Sequence, residues 1–347
     1  MMNKKTLIAM SGGVDSSVAA VLMKERGYEC IGAMMLLHGE PGQDVIDAEK
    51  VAAKLGIPFH LIDLRAEFEE KVICPFISSY EMGHTPTPCI LCNKHFKFKR
   101  LLEVAEKLGC DSITTGHYVK SEYDEALGRY TVKKAEKGGK DQSYVLYNLT
   151  QQQLAHVNFP LGAYSKEEIR AKAESIGFIN ADKKDSQDIC FVPDGDYAGF
   201  IERKTGKIYE SGNFIDMSGK VLGKHCGIIR YTIGQRKGLG LALPAPGYVV
   251  EKRMEDNAVV IGSNEDLFSS RLVAEDFNWV SIPEPKEPIK VMGRTRYSQK
   301  EQPAVARVEG DKVIVNFDVP QRAITCGQAV VLYDGENLLG GGTITGR

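Results

Sequence analysis

Short apolar runs alternate with amphipathic stretches through the first half of the chain. Residues 6–10, 30–37, 59–64 and 112–115 form apolar runs that are typical of buried strands. Apolar residues recur at helical spacing elsewhere, which predicts helices over residues 16–26, 44–55, 66–80, 93–108 and 165–176. Strands that alternate with helices in this way favour a parallel sheet covered on both faces.

The pattern changes beyond about residue 200, where glycines become frequent and the helical spacing ends. Short apolar runs at 248–250, 258–261, 313–317 and 329–332 are separated by Asp, Asn and Gly turns. The sequence therefore predicts an α/β fold. An N-terminal parallel-sheet domain over residues 1–200 is followed by two small β-rich domains over 201–267 and 268–347.

The composition is that of a globular protein with sizeable cores: 347 residues, 43% hydrophobic and 26% charged. The first apolar stretch, 7–10, is too short for the core of a signal peptide. No run approaches the roughly 18 apolar residues of a membrane span. We therefore expect a cytoplasmic protein without membrane contact. In that reducing compartment, the eight cysteines suit burial, metal binding or catalysis better than structural disulfides.

The formal net charge of −2 argues against a general nucleic-acid coat, but the charges are unevenly distributed. Residues 82–102, 217–250 and 290–300 contain lysines and arginines and no acidic side chain. Local basic surfaces on a nearly neutral protein suit a polyanion that binds at defined places. The alternative is that neighbouring acidic residues neutralise these stretches in the folded protein.

Residues 9–16, with the sequence AMSGGVDS, follow the first predicted strand and open the first helix. The paired glycines allow a tight turn, and the exposed N–H groups and the helix dipole favour a bound phosphate. No lysine follows the glycines as in a Walker A loop, and the third glycine of the dinucleotide fingerprint is absent. The segment is therefore predicted to be a phosphate loop of another kind.

The motif SGGVDS at residues 11–16 resembles the SGGxDS motif of the ATP pyrophosphatase superfamily. This resemblance implies cleavage of ATP between the α- and β-phosphates and adenylation of a substrate oxygen. It does not choose between amide-forming synthetases and tRNA-modifying enzymes.

Two cysteines lie in polar stretches that suit chemistry. Cys92 precedes a basic predicted helix and is followed by Lys94 and His95, an environment that favours a reactive thiolate. Cys190 lies in an acid-flanked stretch, whereas Cys30 and Cys110 lie against strands and are expected to be small buried residues.

Together with GHY at 116–118, KDQSY at 140–144 and GQRKG at 234–238, these stretches resemble the bacterial tRNA-specific 2-thiouridylases over essentially the whole chain. The resemblance implies a Rossmann-like PP-loop ATP-binding catalytic domain, a small central domain and a C-terminal β-barrel-like domain that contacts tRNA. The implied reaction replaces the C2 oxygen of the wobble uridine in the tRNA anticodon loop with sulfur. ATP with Mg²⁺ and a sulfur-donor protein are implied as well.

Carried over position by position, the resemblance implies roles for individual residues. Cys92 corresponds to the catalytic nucleophile, Cys190 to the cysteine that carries a persulfide, and Asp15 to a catalytic position in the loop. The residues that correspond to ATP contacts are Ala9, Met10, Ser11, Gly12, Gly13, Val14, Asp15, Ser16, Met35 and Gly116. Those that correspond to contacts with the target base or the tRNA are Thr87, Pro88, Cys89, His117, Lys140, Asp141, Gln142, Arg296, Tyr297 and Gln328.

The sequence departs from the family where Cys89 replaces an aspartate that many members carry. A thiol cannot supply the proton chemistry of a carboxylate at neutral pH without a strong pKa shift. The carboxylate is dispensable, or Asp185 or Asp188 substitutes for it, or Cys89 has another role. One such role is an iron–sulfur site formed by Cys89, Cys92 and Cys190, which iron analysis of anaerobically purified protein tests.

Three other functions compete with tRNA thiolation. An amide-forming adenylating synthetase would leave Cys92 and Cys190 without a role. An RNA-binding protein with a structural ATP would release no pyrophosphate. A thiol redox or metal-storage protein does not explain the loop at residues 11–16.

Overall fold

The computed structural model describes residues 4–137, 140–181, 183 and 189–347. In this part of the chain, five parallel strands form the sheet of the N-terminal domain. Their order across the sheet is Phe59–Asp63, Glu29–Leu36, Lys5–Ala9, Ser112–Thr114 and Val157–Asn158. The predicted α/β fold with an N-terminal parallel sheet is confirmed.

Helices cover this sheet and continue to the start of the β-rich half. The α-helices are Val14–Glu25, Gln43–Leu55, Arg65–Phe68, Cys74–Glu81, Pro88–Cys92, Leu101–Lys107, Gln151–Leu154, Lys166–Ile176 and Tyr197–Thr205. Two segments are π-helical, Glu69–Ile73 and Asn93–Arg100. Short 3₁₀ turns lie at Ser143–Leu146, Ile228–Arg230 and Glu265–Leu267. Residues 88–107 therefore form one continuous helix, which we name the cysteine helix. None of the helices in the described ranges combines the length and apolar character needed to cross a membrane.

Local signals set the ends of Lys166–Ile176. The Ser165 hydroxyl accepts from the Glu168 N–H, and the Glu168 carboxylate accepts from the Ser165 N–H. Gly177 then ends the helix in the left-handed conformation at φ +68°. This reciprocal capping and glycine stop are the devices that an S-x-x-E pattern followed by glycine predicts.

The prediction that helical structure ends near residue 200 was wrong by a few residues. The helix Tyr197–Thr205 begins at Asp196, whose carboxylate accepts from the Gly199 N–H at 2.9 Å, and ends at Gly206. Its apolar face is short, so that periodicity alone gives a weak signal.

The β-rich half contains two sheets. Among the described residues, the first has four strands in the order Tyr248–Arg253, Ala258–Gly262, Gly212–Asp216 and Val221–His225. The second is a barrel in the order Phe268–Trp279, Lys312–Arg322, Gln302–Glu309, Ile289–Arg294, Ala329–Asp334 and Asn337–Gly346. Its first and last strands pair with each other, which closes the barrel without free edges.

A hairpin from the N-terminal half joins this barrel. The strands Val119–Asp124 and Arg129–Lys134 pair with each other, and Val132 lies opposite Leu338 of the last barrel strand. Tyr144 adds a buried hydrogen bond from its hydroxyl to the Ala329 carbonyl at 2.8 Å. The barrel is thus fixed directly onto the N-terminal half rather than linked only through the central sheet.

Candidate active site

The phosphate loop lies between the first strand and the helix Val14–Glu25. Gly12 has φ +69°, and a Cβ there would lie 2.3 Å from the Asp44 carbonyl oxygen. Gly13 is the extended residue before the helix. The Ser16 hydroxyl accepts from the Ser11 N–H at 3.2 Å and donates to the Gly13 carbonyl at 3.0 Å. The loop is therefore shaped by its own serine and leaves room only for glycine at position 12.

Two side chains from the region after Gly177 support the loop from behind. The Asn180 amide donates to the Gly12 carbonyl at 2.9 Å and to the Ser17 hydroxyl at 3.0 Å. Lys183 donates to the Gly12 carbonyl at 3.3 Å and to Asp47 at 2.8 Å. These bonds tie the loop to residues far away in sequence.

Asp15, in the first turn of the helix, is surrounded by donors. Among the described residues, its carboxylate accepts from the Tyr118 hydroxyl at 2.7 Å, from Lys140 Nζ at 2.8 Å and from Lys166 Nζ at 2.7 Å. Two ammonium groups therefore lie beside the glycine turn, where they can contact a polyphosphate.

The Lys140 ammonium lies at the phosphate loop, and its expected contact with tRNA stays a prediction. Lys166 was missed altogether, since the sequence around it gives only a helix-start signal.

The remaining predicted ATP residues line the same edge of the sheet. Ala9 ends the first strand, and the Met10 N–H donates to the Ala33 carbonyl at 2.8 Å. Met35 is half-buried near the end of the second strand. Gly116 approaches the loop so closely that a Cβ would lie 2.9 Å from the Ser16 nitrogen. Ligands of open α/β sheets bind at this carboxyl edge of the strands.

We expect Gly12→Ala to reduce pyrophosphate release at least about 100-fold, because the new methyl group would displace the loop from its phosphate-binding shape. Gly128→Ala is the matched control, since Gly128 also has a positive φ of +62° but nothing within 4 Å of the added Cβ. The control carries the same type of backbone strain without a clash. Equal activity in both variants would show that the loop shape is not needed.

Cys92 lies inside the cysteine helix rather than near its start. The helix begins at Pro88, so that Cys92 is a full turn from the N-terminus and is buried. Burial raises the pKa of the Cys92 thiol to about 12, while the Lys97 charge acts in the opposite direction. The expectation of a thiolate favoured by a helix N-terminus was therefore wrong for this state of the protein.

Cys89 and Cys190 are exposed, and both are close enough to Cys92 to influence its thiol electrostatically. Burial raises the pKa of the Cys92 thiol, and the protein packed around the Cys190 sulfur raises the pKa of that thiol although part of the residue is open to solvent. A thiolate at Cys89 raises both pKa values further, while Lys97 lowers both. These mutual effects show that the three sulfur atoms and the ammonium form one electrostatic cluster. We name Cys89, Cys92, Cys190 and Lys97 the thiol cluster.

The aromatic core links the thiol cluster to the phosphate loop. Phe191, next to Cys190, lies in the same apolar cluster as Cys92 and stacks edge-on against Phe68 at 5.8 Å. The His38 ring lies 6.5 Å from the Phe191 ring. Burial lowers the pKa of His38, and the Asp44 charge opposes that shift. Asp44 is also the residue whose carbonyl faces Gly12, so a chain of side chains leads from Phe191 through His38 and Asp44 to the phosphate loop.

The thiol cluster does not fit the hypothesis of an iron–sulfur site. Within the described ranges, no group of three or more His, Cys, Asp or Glu side chains is arranged to hold a metal ion. Asp185 and Asp188, the proposed substitutes for the missing carboxylate, lie outside the described residues.

Alkylation should distinguish the thiols. At pH 8 we expect iodoacetamide to label the exposed Cys74, Cys89 and Cys226 first and Cys190 more slowly, because the pKa of the Cys190 thiol is raised. Cys92 should react most slowly, because its burial and raised pKa disfavour the reactive thiolate. Cys92 labelling should rise with pH toward about 12 and become fast on denaturation. Peptide mass spectrometry measures each rate. Labelling of Cys92 as fast as that of Cys226 in the folded protein would contradict its burial.

Comparison with known proteins assigns the family. Family models match residues 4–194 as a tRNA methyl transferase HUP domain, 198–263 as a PRC-barrel domain and 269–344 as an aminomethyltransferase β-barrel domain. The chain is 48% identical to the tRNA-specific 2-thiouridylase of Clostridioides difficile (strain 630), over 99% of this chain and 98% of that protein. It is 49% identical to one from Caldanaerobacter subterraneus, with the same coverage.

The chain belongs to the tRNA-specific 2-thiouridylase family. The predicted family is thereby confirmed. The domain models describe methyl transferases, but the relatives that match nearly the whole chain are named for thiolation. A 4-thiouridine synthetase in complex with RNA and ATP covers 58% of this chain and 50% of its own at 19% identity and TM-score 0.35, a likeness too weak to carry an argument.

The predicted base-contact residues of this thiouridylase open the cysteine helix. Thr87 precedes it, Pro88 is its first residue, and Cys89 is exposed one position on. The barrel holds the loop before them through two hydrogen bonds. The Gln328 side-chain amide donates to the Thr85 carbonyl at 2.8 Å, and the Thr85 N–H donates to the Cys326 carbonyl at 2.9 Å.

Two predicted tRNA contacts make hydrogen bonds within the protein. His117 is buried against Phe98, its Nδ1 lies 2.7 Å from the Thr115 hydroxyl, and burial holds its pKa well below the usual range. Arg296 donates to the Ala323 carbonyl at 2.8 Å and bridges the barrel and the central sheet. His117 is thus buried and Arg296 is half-buried in a joint between domains, and their contact with tRNA stays a prediction.

Tyr297, Asp141 and Gln142 lie together between the barrel and the phosphate loop. Tyr297 is 48% exposed, and its hydroxyl donates to the Asp141 carbonyl at 3.0 Å. The Gln142 side-chain oxygen accepts from the Tyr118 N–H at 2.9 Å. Tyr297 alone of the three presents a large exposed ring, so it remains a candidate for contact with tRNA.

Proposed function

We propose that this protein is a tRNA-uridine 2-sulfurtransferase that uses ATP to replace the C2 oxygen of the wobble uridine with sulfur. Relatives that match 99% of the chain are named for tRNA 2-thiolation, and the predicted enzyme class is confirmed by this membership. The observation that supports the mechanism is the chain of contacts that leads from the thiol cluster through Phe191, His38 and Asp44 to the phosphate loop. One site can thereby activate a uridine and deliver sulfur to it.

The first step is adenylation. The uracil C2 oxygen attacks the α-phosphate of ATP, and pyrophosphate leaves. Lys140 and Lys166, held at the loop by Asp15, would neutralise the charge of the departing pyrophosphate. Asp15 supplies a carboxylate oxygen of the kind that Mg²⁺ takes together with phosphate oxygens, and the ion would add further charge neutralisation.

The second step is sulfur transfer. The terminal sulfur of a persulfide on Cys190 attacks C2, and AMP leaves with the former uridine oxygen. The Cys92 sulfur then attacks Cys190 Sγ, which breaks the sulfur–sulfur bond, releases the thiouridine and forms a Cys92–Cys190 disulfide. A dithiol or low-molecular-weight thiol reduces this disulfide, and a sulfur-donor protein restores the persulfide. The exposed position of Cys190 supports access by such a protein.

This order of steps requires Cys92 to leave its buried, protonated state before it attacks Cys190 Sγ. The start of the cysteine helix carries Thr87, Pro88 and Cys89, so a base that enters there would press on the turn that covers Cys92. The anticodon loop is single-stranded, so that extruding its wobble base costs little. We infer that base entry opens this turn and exposes Cys92 to the persulfide.

The test is a single-turnover reaction of persulfide-loaded protein with ATP and unmodified tRNA. We expect pyrophosphate release that depends on tRNA, followed by 2-thiouridine in the tRNA digest by mass spectrometry. An amide-forming synthetase would keep its activity with both Cys92→Ser and Cys190→Ser. An RNA-binding protein with structural ATP would release no pyrophosphate. Either result would replace the proposed function.

A further inference from the structure

Residues 140–142, which we name the bridge segment, contact the phosphate loop directly through Lys140 and indirectly, by way of Tyr118, through Gln142. Lys140 Nζ lies 2.8 Å from the Asp15 carboxylate. The Gln142 side chain accepts from the Tyr118 N–H, and the Tyr118 hydroxyl donates to the same Asp15 carboxylate at 2.7 Å. The Lys140 ammonium also lies 5.0 Å from the centre of the Tyr118 ring. A displacement of the bridge segment would therefore change the contacts of the Asp15 carboxylate.

The middle of the bridge segment is held by the barrel. The Tyr297 hydroxyl donates to the Asp141 carbonyl at 3.0 Å. The Asp141 carboxylate accepts from the Ser143 N–H at 3.0 Å and from the Ser143 hydroxyl at 2.8 Å. Arg294 Nη2 lies 3.8 Å from the same carboxylate, which is an ion pair but is too long for a hydrogen bond.

Arg294, which forms this ion pair with Asp141, is a largely buried cation. Its side chain is 12% exposed, and its guanidinium lies over three rings, 5.0 Å from Tyr144, 5.7 Å from Tyr297 and 5.6 Å from Tyr333. Among the described residues, its buried Nε and Nη2 have no hydrogen-bond partner. Buried donors on a cation that lack partners are costly. A movement of roughly 1 Å would bring Asp141 within hydrogen-bond distance of Nη2.

We propose that the bridge segment couples tRNA binding at the barrel to ATP binding at the phosphate loop, with Arg294 and Tyr297 as positioning residues. When tRNA packs on the exposed Tyr297 ring, Asp141 closes onto Arg294 and fixes Lys140 beside the loop. ATP then binds to a loop whose cation is already ordered, so that tRNA tightens ATP binding. Linkage requires ATP to tighten tRNA binding by the same factor.

This inference rests on the proposed function, because it requires tRNA and ATP to bind to the same chain. The probe is an ATP analogue with a methylene group between the α- and β-phosphates. It can occupy the ATP site but cannot transfer its AMP group to tRNA. Its dissociation constant is measured by calorimetry with and without saturating tRNA. We expect tRNA to tighten binding of the analogue at least about 5-fold in the parent protein.

Tyr297→Phe removes only the hydroxyl that holds Asp141, and the ratio of the two dissociation constants should fall to about 1. Asp141→Asn should also reduce the ratio to about 1, because the neutral amide cannot form the ion pair with Arg294. A merely weakened tRNA contact would not change this ratio, because it is taken at saturating tRNA. Tyr123→Phe is the matched control, since Tyr123 is also an exposed tyrosine and lies on the hairpin that joins the barrel.

A parent protein without coupling, or two variants that keep the parent ratio, would overturn the proposal. Thiolation of tRNA is measured in parallel on the same preparations. Loss of coupling with intact thiolation in the parent would reject the bridge segment alone, whereas absent thiolation in the parent would reject the proposed function.

Discussion

Replacement of Cys190 by serine is expected to abolish sulfur transfer to tRNA and to leave tRNA affinity within a few-fold of the parent value. A serine hydroxyl cannot carry a persulfide, so that no sulfur is available to attack C2. Cys190 is exposed, and the replacement is nearly isosteric, so the fold and the tRNA surface should be unchanged. Single-turnover thiolation and tRNA titrations measure the two quantities.

Pyrophosphate release provides a second readout for Cys190→Ser. Adenylation precedes sulfur transfer, so the first burst of pyrophosphate should persist while thiolation is lost. Cys226→Ser is the matched control, because Cys226 is also exposed but lies in the central domain, outside the thiol cluster. Full sulfur transfer by Cys190→Ser would show that the persulfide is carried elsewhere.

Asp15→Asn is expected to reduce adenylation by about 100- to 1,000-fold. The carboxylate accepts from Tyr118, Lys140 and Lys166, and removal of its charge weakens the contacts that hold both ammonium groups at the loop. It also removes the oxygen ligand for Mg²⁺ that the mechanism assigns. Tyr118 could still donate to the asparagine oxygen, so that the loop should remain folded.

The measurement for Asp15→Asn is tRNA-dependent pyrophosphate release, with persulfide loading of Cys190 as the second readout. Loading should be unchanged, because Cys190 and Asp15 act in different steps. Asp318→Asn, at an exposed barrel residue, controls for loss of one negative charge. Parent-level pyrophosphate release by Asp15→Asn would remove Asp15 from the adenylation step.

Local signals explain how much of the fold could be predicted. The apolar runs gave four strands of the parallel sheet, and S-x-x-E followed by glycine gave both ends of Lys166–Ile176. The glycine pair at 12–13 gave the turn before the first helix. Each of these features is determined by residues close together in the sequence. The hairpin that joins the barrel was missed, because pairing of Val132 with Leu338 depends on contacts more than 200 residues apart.

The candidate site was predictable in its motifs and unpredictable in its environment. The sequence predicted a phosphate loop at residues 11–16 and chemical roles for Cys92 and Cys190. It could not show that residues 88–107 form one helix, which places Cys92 in a buried turn with a pKa of about 12. Lys166 was missed, and Lys140 was assigned to tRNA, because only the folded chain brings both ammonium groups to Asp15.

The most direct test of the central claim follows the uridine oxygen. A tRNA whose wobble uridine carries ¹⁸O at C2 is mixed with ATP and persulfide-loaded protein for one turnover. Mass spectrometry of the products should find ¹⁸O in the phosphate of AMP, in an amount equal to the 2-thiouridine formed. Thiolated tRNA accompanied by unlabelled AMP would show that the phosphate loop and the thiol cluster do not act on the same uridine in the proposed order.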